Sequence, residues 1–474
     1  MIKGSIKPTW PGTAVICGAC VVGWFVNHEA DTAYAAARGV SFLLLAAIAV
    51  SILSDWRSGL RNLVRSDIFA LLALYFLLYF EFLFPQPNFE VFAIFEHVQT
   101  SIDMTLAGFI ALSLGRHVSF GGWKPLQFAE KVKLKTSDYV WILLGAFIAA
   151  NLNQWMAVGF NFAEWISELM ESRFQRTWAR GRYGDLSALL GELGLLGYLV
   201  PPLAGLIFAK RKEVNAFLLI VVAICLLVMF FKGFSGGTRN VLAVYMVGCM
   251  GGYFLVQKRL KLTTIAVTSL IVMVAFFFMA KYMLEFRNIG LGRYIEEERY
   301  RPSYRSFHQQ YQGGYGDDEV TTYFVDYNLH TMSRLVAVFP DQFDYLGWNL
   351  PFVAITKPIP RALWPSKPEG LKVGMEEAIG AEGMTVAATF IGEAYVCFGI
   401  LGVIGIGGFL GAICGWWNQL ALQLHAPLSL AIYTSGFFAI LITMRSLMFF
   451  TTAILPSLAL LMFARILYSH QQSQ

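Results

Sequence analysis

Charge is what this chain has least of. Of its 474 residues only 14% are Asp, Glu, Lys or Arg, while 57% are hydrophobic, too little charge to cover a water-soluble protein of this size. Histidine is scarce as well, and no H-E-x-x-H, EF-hand, Walker or G-x-S-x-G pattern occurs, which removes the usual metal, nucleotide and acyl-transfer routes. Repeats and low-complexity tracts are missing. The six cysteines, Cys17, Cys20, Cys225, Cys249, Cys397 and Cys414, lie almost entirely inside apolar runs, so no disulfide framework is expected. Cys17 and Cys20 spell C-x-x-C without flanking histidine and read as plain packing. The net charge of +5 does not imply a nucleic-acid partner, because the basic residues cluster between apolar runs.

What is present is the repeated signature of a membrane helix. A helical crossing needs about 20 mainly apolar residues, since each backbone amide must be satisfied within the segment. Such runs fall near 12–28, 38–55, 67–85, 101–115, 138–158, 187–208, 214–231, 240–257, 262–285, 399–417, 427–444 and 446–466. The expected protein is all-α and polytopic with about 12 spans: nine in residues 1–286, a large external subdomain over 287–398, and three more in 399–474. The first run follows Lys3 and Lys7 and reads as an uncleaved span. Clusters at Arg57, Arg61 and Arg65, at Arg116 to Lys135, at Lys210 to Lys212 and at Lys258 to Lys261 fall on one side. By the positive-inside rule that side is the cytoplasm, with both termini on it.

Two external features run against that rule. The loop at 160–186 carries Arg173, Arg176, Arg180 and Arg182. It reads either as an interfacial helix on lipid phosphates or as a binding surface for an anionic lipid-linked substrate. The segment after Arg287 is rich in Tyr, Gly and charge, with Trp348 and Trp364, and its aromatics predict that much of it folds against the membrane face.

Candidate chemistry gathers on the external side. In Phe234-Ser-Gly-Gly-Thr-Arg239 two glycines permit close backbone approach and Arg239 opens the eighth span near its positive dipole end, an arrangement suited to an anion. Lys357-Pro-Ile-Pro-Arg361-Ala-Leu-Trp364-Pro-Ser-Lys367-Pro holds three cations on a stiff extended scaffold beside an aromatic ring. Thr389-Phe-Ile-Gly392-Glu393-Ala-Tyr395 is expected to lead straight into the tenth span. Glu393 then sits at the external boundary, paired with an arginine or catalytic. Arg445 faces the same pool. Asp326, His330 and Arg334 recur at helical spacing, with His330 a candidate base or a structural residue.

In order and spacing, Ser-Gly-Gly-Thr-Arg239, Pro-Ile-Pro-Arg361-Ala-Leu-Trp-Pro-Ser-Lys367-Pro, Thr-Phe-Ile-Gly-Glu393-Ala-Tyr and Arg445 resemble the Wzy-type oligosaccharide repeat-unit polymerases, the group of the O-antigen, exopolysaccharide and enterobacterial common antigen polymerases. The resemblance covers roughly residues 230–450. The common antigen polymerases have an acidic residue after their late arginine, where this chain has Ser446. The resemblance implies a fold like the GT-C class of membrane glycosyltransferases and metal-independent, cofactor-free catalysis at the outer face of the bacterial inner membrane. It also implies an undecaprenyl-diphosphate-linked oligosaccharide substrate, with a chain-length regulator and a flippase as partners. Arg239, Arg361, Lys367 and Arg445, with Arg176 and Arg180 of the external loop, are then the expected diphosphate ligands, and Glu393 or His330 the proton acceptor. A ligase would use the same donor and cations. A transporter would show intramembrane charges, broken helices or internal symmetry.

Overall fold

A computed structural model describes residues 7–86, 89–118, 126–173, 175–180, 190–257, 261–287, 289–296, 328–359, 363–368, 370–371, 373–381, 387–421 and 425–473. Among them all regular structure is helical. Among the described residues ten helices are long and apolar enough to cross a membrane, so the chain is a polytopic membrane protein. They are α1 (Trp10–Glu29), α2 (Ala33–Trp56), α4 (Phe95–Gly115), α5 (Thr136–Ala157), α7 (Leu190–Ala209), α8 (Ala216–Ser235), α9 (Arg239–Val256), α13 (Thr389–Ala421), α14 (Pro427–Arg445) and the helix from Leu447 to Ser473, whose α-helical part is α15 (Phe450–Ser473).

Of the about 12 spans expected, ten meet that length and composition among the described residues, and the runs near 67–85 and 262–285 do not. α3 (Ser66–Leu78) has 13 residues, about 20 Å at 1.5 Å per residue, because the chain tightens into a 3-10 turn at Phe80–Leu83. In α10 (Leu262–Arg287) the described apolar stretch is Leu262–Ala275. Both nevertheless run between the two ends of the bundle. At one end Ser66 N donates to Asn418 Oδ1, while the other end of the α3 segment reaches Phe84, whose carbonyl accepts from Tyr34 Oη at the start of α2. α10 likewise has Ile265 in the core with Leu255, and Met283 against Leu242.

Cross-helix bonds define the two ends. The first end joins Arg65 to the Lys7 carbonyl, Arg61 to the Leu255 carbonyl and Gln471 to the Lys133 carbonyl. The second joins Arg176 to Ser235, Glu393 to Ser446 and Leu346 to Val396. α6 (Phe162–Met170), α11 (Asn328–Val338) and α12 (Asn349–Thr356) belong to the second end. α11 is not a surface element. Leu329, Met332 and Leu335 are fully buried in the larger core, and Asn328 Nδ2 donates to the Leu77 carbonyl at 2.8 Å.

α13 departs most from the sequence expectation. Residues 389–399 do not lead straight into the span; the helix breaks at Phe398 (φ −147°, ψ 22°) and Gly399 (φ 62°), and the left-handed φ suits glycine. Beyond the break the chain folds back on itself. A Cβ on Gly407 would lie 3.6 Å from the Phe390 ring, although a straight helix would separate these residues by about 25 Å. Leu346 and Gly347 amides donate to the Val396 and Cys397 carbonyls at 2.9 Å, groups that the break leaves without helical partners. Thr389 to Cys397 is thus a buried helical arm packed beside the span that follows. Gly402 makes this possible, because a Cβ there would collide with the Ala394 carbonyl. Gly402→Val is expected to open the hairpin and cost about 1–3 kcal/mol, read as a lowered Tm of purified protein in detergent. Gly405→Val, where no atom lies within 4 Å, should leave Tm unchanged.

Glycines also set how closely the span approaches α4. Cβ atoms on Gly411 and Gly415 would collide with the carbonyls of Leu112 and Arg116. Without a strong hydrophobic drive between helices in lipid, such small-residue contacts let backbones meet.

Candidate functional site

Most of the described buried charges fall in two groups, one at each end, with Glu81 buried separately in the 3-10 turn after α3. At the first end Arg65, Asp55, Asp67 and Arg116 are at most 1% exposed. Asp67 accepts from Arg65 Nε at 2.8 Å, Arg116 Nη1 at 3.1 Å and Asn418 Nδ2 at 2.6 Å, and Asp55 accepts from Arg65 Nη2 at 2.5 Å. Arg116 also donates to Thr13 Oγ1 at 2.7 Å, and Tyr433 Oη to Asn418 Oδ1 at 2.8 Å. The two positive and two negative charges cancel, and hydrogen bonds occupy them, which is what buried ions require. This lock joins α1, α2, α3, α4, α13 and α14. The sequence shows Arg65 and Arg116 only as members of cytoplasmic clusters, because Arg116 lies 49 residues from Asp67, the carboxylate that it shares with Arg65.

The second group is the candidate site. Glu393, carried by the buried arm, is 2% exposed. Its Oε1 accepts from Ser446 Oγ at 2.5 Å and its Oε2 from the Leu447 amide at 2.5 Å. These are the two residues after Arg445 at the end of α14, so the arm sets the turn that carries that arginine. Ser446, noticed in sequence for lacking an acidic side chain, donates to an acid from elsewhere instead. Lys357, at the end of α12, has its Nζ 3.6 Å from the centre of the Phe449 ring. Burial pulls its pKa below the ordinary lysine value, against the opposing charges of Glu393 and Glu192. A half-desolvated ammonium over a ring is a strong cation–π geometry. Lys367 Nζ donates to the Lys357 and Ile359 carbonyls at 2.9 and 3.0 Å, closing the proline-rich loop. Arg361 lies outside the described residues.

Arg239 opens α9 and is 7% exposed. Val244, Phe438, Ala439 and Ala453, with Leu195 and Tyr198, form an apolar floor contributed by α7, α9, α14 and α15. Tyr198 stacks on Phe438 at 3.6 Å. The floor ties the start of α9, with Arg239, to the end of α14, with Arg445.

The arginine loop is built differently. Arg176, 7% exposed, donates to the carbonyls of Leu169, Glu171 and Ser235 at 2.8 to 3.2 Å. It therefore staples the loop to the end of α8. Arg173 donates to Thr238 Oγ1 at 3.4 Å. Arg180 lies in a 3-10 turn, Thr177–Arg180, and its side chain and Arg182 are outside the described residues. Lys232, inside an apolar run, donates to Asn151 Oδ1 at 2.6 Å and adds a half-buried basic group beside Arg176.

His330 does not join Glu393. No hydrogen bond links the two among the described residues, and His330 Nδ1 is buried without a partner. Burial, and then Arg334, push its pKa down to about 4, which makes it a weak proton acceptor near neutrality. Because this value lies below the ordinary histidine 6.5, the fold favours neutral His330. That contribution is present above 6.5 and is lost as pH falls toward 4. His330→Phe is expected to flatten the loss of Tm in that window. Arg334 is exposed and donates to the Ile379 carbonyl at 3.5 Å; Asp326 is outside the described residues.

No curated protein and no solved structure matches the chain. One family model, described as a domain of unknown function (DUF8712), matches residues 183–472. That range holds Arg239, Lys357, Lys367, Glu393 and Arg445 and leaves out Arg176 and the first-end arginines. Since the match covers more than half of the sequence, the chain belongs to the DUF8712 family.

Proposed function

We propose that this protein is a glycosyltransferase that polymerises oligosaccharide repeat units carried on undecaprenyl diphosphate. In this reading the fold is GT-C-like, the second end faces outward from the bacterial inner membrane, and the termini are cytoplasmic. What supports the reading is one juxtaposition: a buried carboxylate, Glu393, holds the turn of Arg445 and faces Lys357, and the helix that ends at Arg445 shares a floor with the Arg239 helix. A diphosphate leaving group calls for fixed cations, and an attacking hydroxyl calls for a nearby base. In the proposed step the acceptor hydroxyl oxygen bonds to the anomeric carbon of the growing chain. The bond from that carbon to the diphosphate oxygen breaks, the electron pair leaves with polyprenyl diphosphate, and the hydroxyl proton passes to Glu393. Arg239, Arg361 and Arg445 hold the diphosphate, with Lys357 and Lys367 ordering the loop between them. A flippase would deliver the units and a chain-length regulator would set product size.

The test is a gel profile of surface or secreted polysaccharide from a strain lacking the protein and carrying wild type, Arg239→Ala or Arg445→Ala. Each variant should yield single-repeat product at wild-type protein abundance, losing polymer by about 100-fold or more. Full ladders from both variants sink the proposal. Complete polymer that fails to reach its acceptor indicates a ligase. Repeat units trapped on the inner leaflet indicate transport, a reading favoured by the broken helix at Phe398 and Gly399 and by buried Glu393.

A further inference from the structure

Between Trp348 and Ile359 every exposed residue is a large hydrophobe: Trp348, Phe352, Ile355 and Ile359. They recur every three or four residues and so form one stripe along α12. Trp348 is 77% exposed, Ile355 66% and Leu363, just beyond, 79%. A helix turned toward water carries polar residues on that face; this one carries none.

The opposite face of α12 is spoken for. Leu350, Val353 and Ala354 are buried, and Thr451 Oγ1 at the start of α15 donates to the Ala354 carbonyl. The stripe is also continuous with a span. Trp348 packs edge-on against Phe398, with ring centres 5.3 Å apart. Phe398 is the tip of the α13 hairpin, from which Leu401 and Ile404 run on as exposed apolar residues of the span, 76% and 49% exposed. Trp364 folds back over Phe352 at 6.3 Å.

We infer that α12 with its flanking Trp348, Ile359 and Leu363 is seated in the bilayer leaflet at the second end, with the stripe in contact with lipid chains. A short helix with an apolar face, aromatics at its ends and cations on the inward side fits the headgroup boundary, where such faces sink about 5–10 Å. Lys357 marks the inward side, over Phe449 and facing Glu393. One consequence rests on the proposed function: a substrate carried by a lipid reaches these charges along the leaflet, past this helix, without leaving the bilayer. The seating itself does not depend on that function.

The test uses full-length protein in phosphatidylethanolamine and phosphatidylglycerol vesicles at about one copy per vesicle. Ile355→Cys, Leu363→Cys and Asp341→Cys are each exposed to a water-soluble maleimide and counted above the wild-type background. Asp341 is exposed in the loop just before α12. Seating in lipid predicts that Ile355→Cys and Leu363→Cys react more slowly than Asp341→Cys, on the order of tenfold, and that detergents with small micelles narrow the gap. Equal rates at one copy per vesicle overturn the inference. Protection that appears only at high protein density assigns the stripe to a second copy, and protection found only in native membranes assigns it to a protein partner; either result overturns it too. As a check that needs no cysteine, a brominated lipid should quench less fluorescence in Trp348→Phe than in wild type. Identical quenching counts against the seating. Because neither readout involves polymer, a failure here is distinct from failure of the proposed reaction.

Discussion

Asp67→Ala is expected to leave little or no folded protein in the membrane. Asp67 accepts from Arg65, Arg116 and Asn418 at once, and all three are at most 1% exposed. Removing it leaves two guanidiniums facing Asp55 alone. Breaking one partner out of a buried ion group costs about 3–5 kcal/mol, a large share of the about 5–15 kcal/mol that holds a typical domain together. The check is abundance and monodispersity on fluorescence-detected size exclusion. Asp67→Asn, which keeps an acceptor but not the charge, should fall between alanine and wild type. Wild-type abundance and Tm for Asp67→Ala would mean that the charge group does not hold these six helices together.

Glu393→Gln is expected to abolish polymer, by about 100-fold or more, while the protein still reaches the membrane. The substitution keeps the volume and can keep both hydrogen bonds, the amide oxygen accepting from the Leu447 N–H and the amide N–H donating to the Ser446 hydroxyl, but it removes the charge and the oxygen that would take a proton. The turn that carries Arg445 is therefore still held, and the loss reads on the missing base. Ser446→Ala removes one hydrogen bond and leaves the carboxylate, so its loss should be nearer tenfold. The readout is ladder length and intensity at matched protein abundance. Wild-type ladders from Glu393→Gln would remove Glu393 from the reaction, and equal losses in both variants would reduce it to a positioning role.

Helix identity was legible in the sequence because a lipid solvent imposes it: most of the twelve apolar runs appear as spans within a few residues of where hydropathy puts them. The exceptions have local causes, such as the 3-10 turn at Phe80–Leu83 that ends α3. Arg239, Glu393 and Arg445 were legible as well, as charges where the flanking runs leave no room for many. Their environment was not. Nothing near Glu393 in the chain announces Ser446 and Leu447, 53 and 54 residues away, and nothing near Arg176 announces the Ser235 carbonyl. The α13 hairpin left only a weak trace, the spacing of Gly399, Gly402 and Gly407, and apolar continuity across the break hid it. His330 shows the reverse case. A histidine at helical spacing from an acid suggests a base, and only burial without a partner to stabilise its charged form makes it a poor one.

By itself, then, the sequence determined that this protein lives in a membrane, that it is helical, that its helices fall near certain residues and that its cations gather in particular loops. These are properties of single segments meeting a solvent, and hydropathy, charge and spacing carry them. Tertiary structure decided that Arg65 and Arg116 lock one end, that Glu393 lies inside the bundle on an arm folded back at Gly399, and that α12 turns an apolar face outward. Each depends on groups distant in the chain meeting at about 3 Å, where burial makes a charge either costly or paired, and no local pattern records which distant partner that will be.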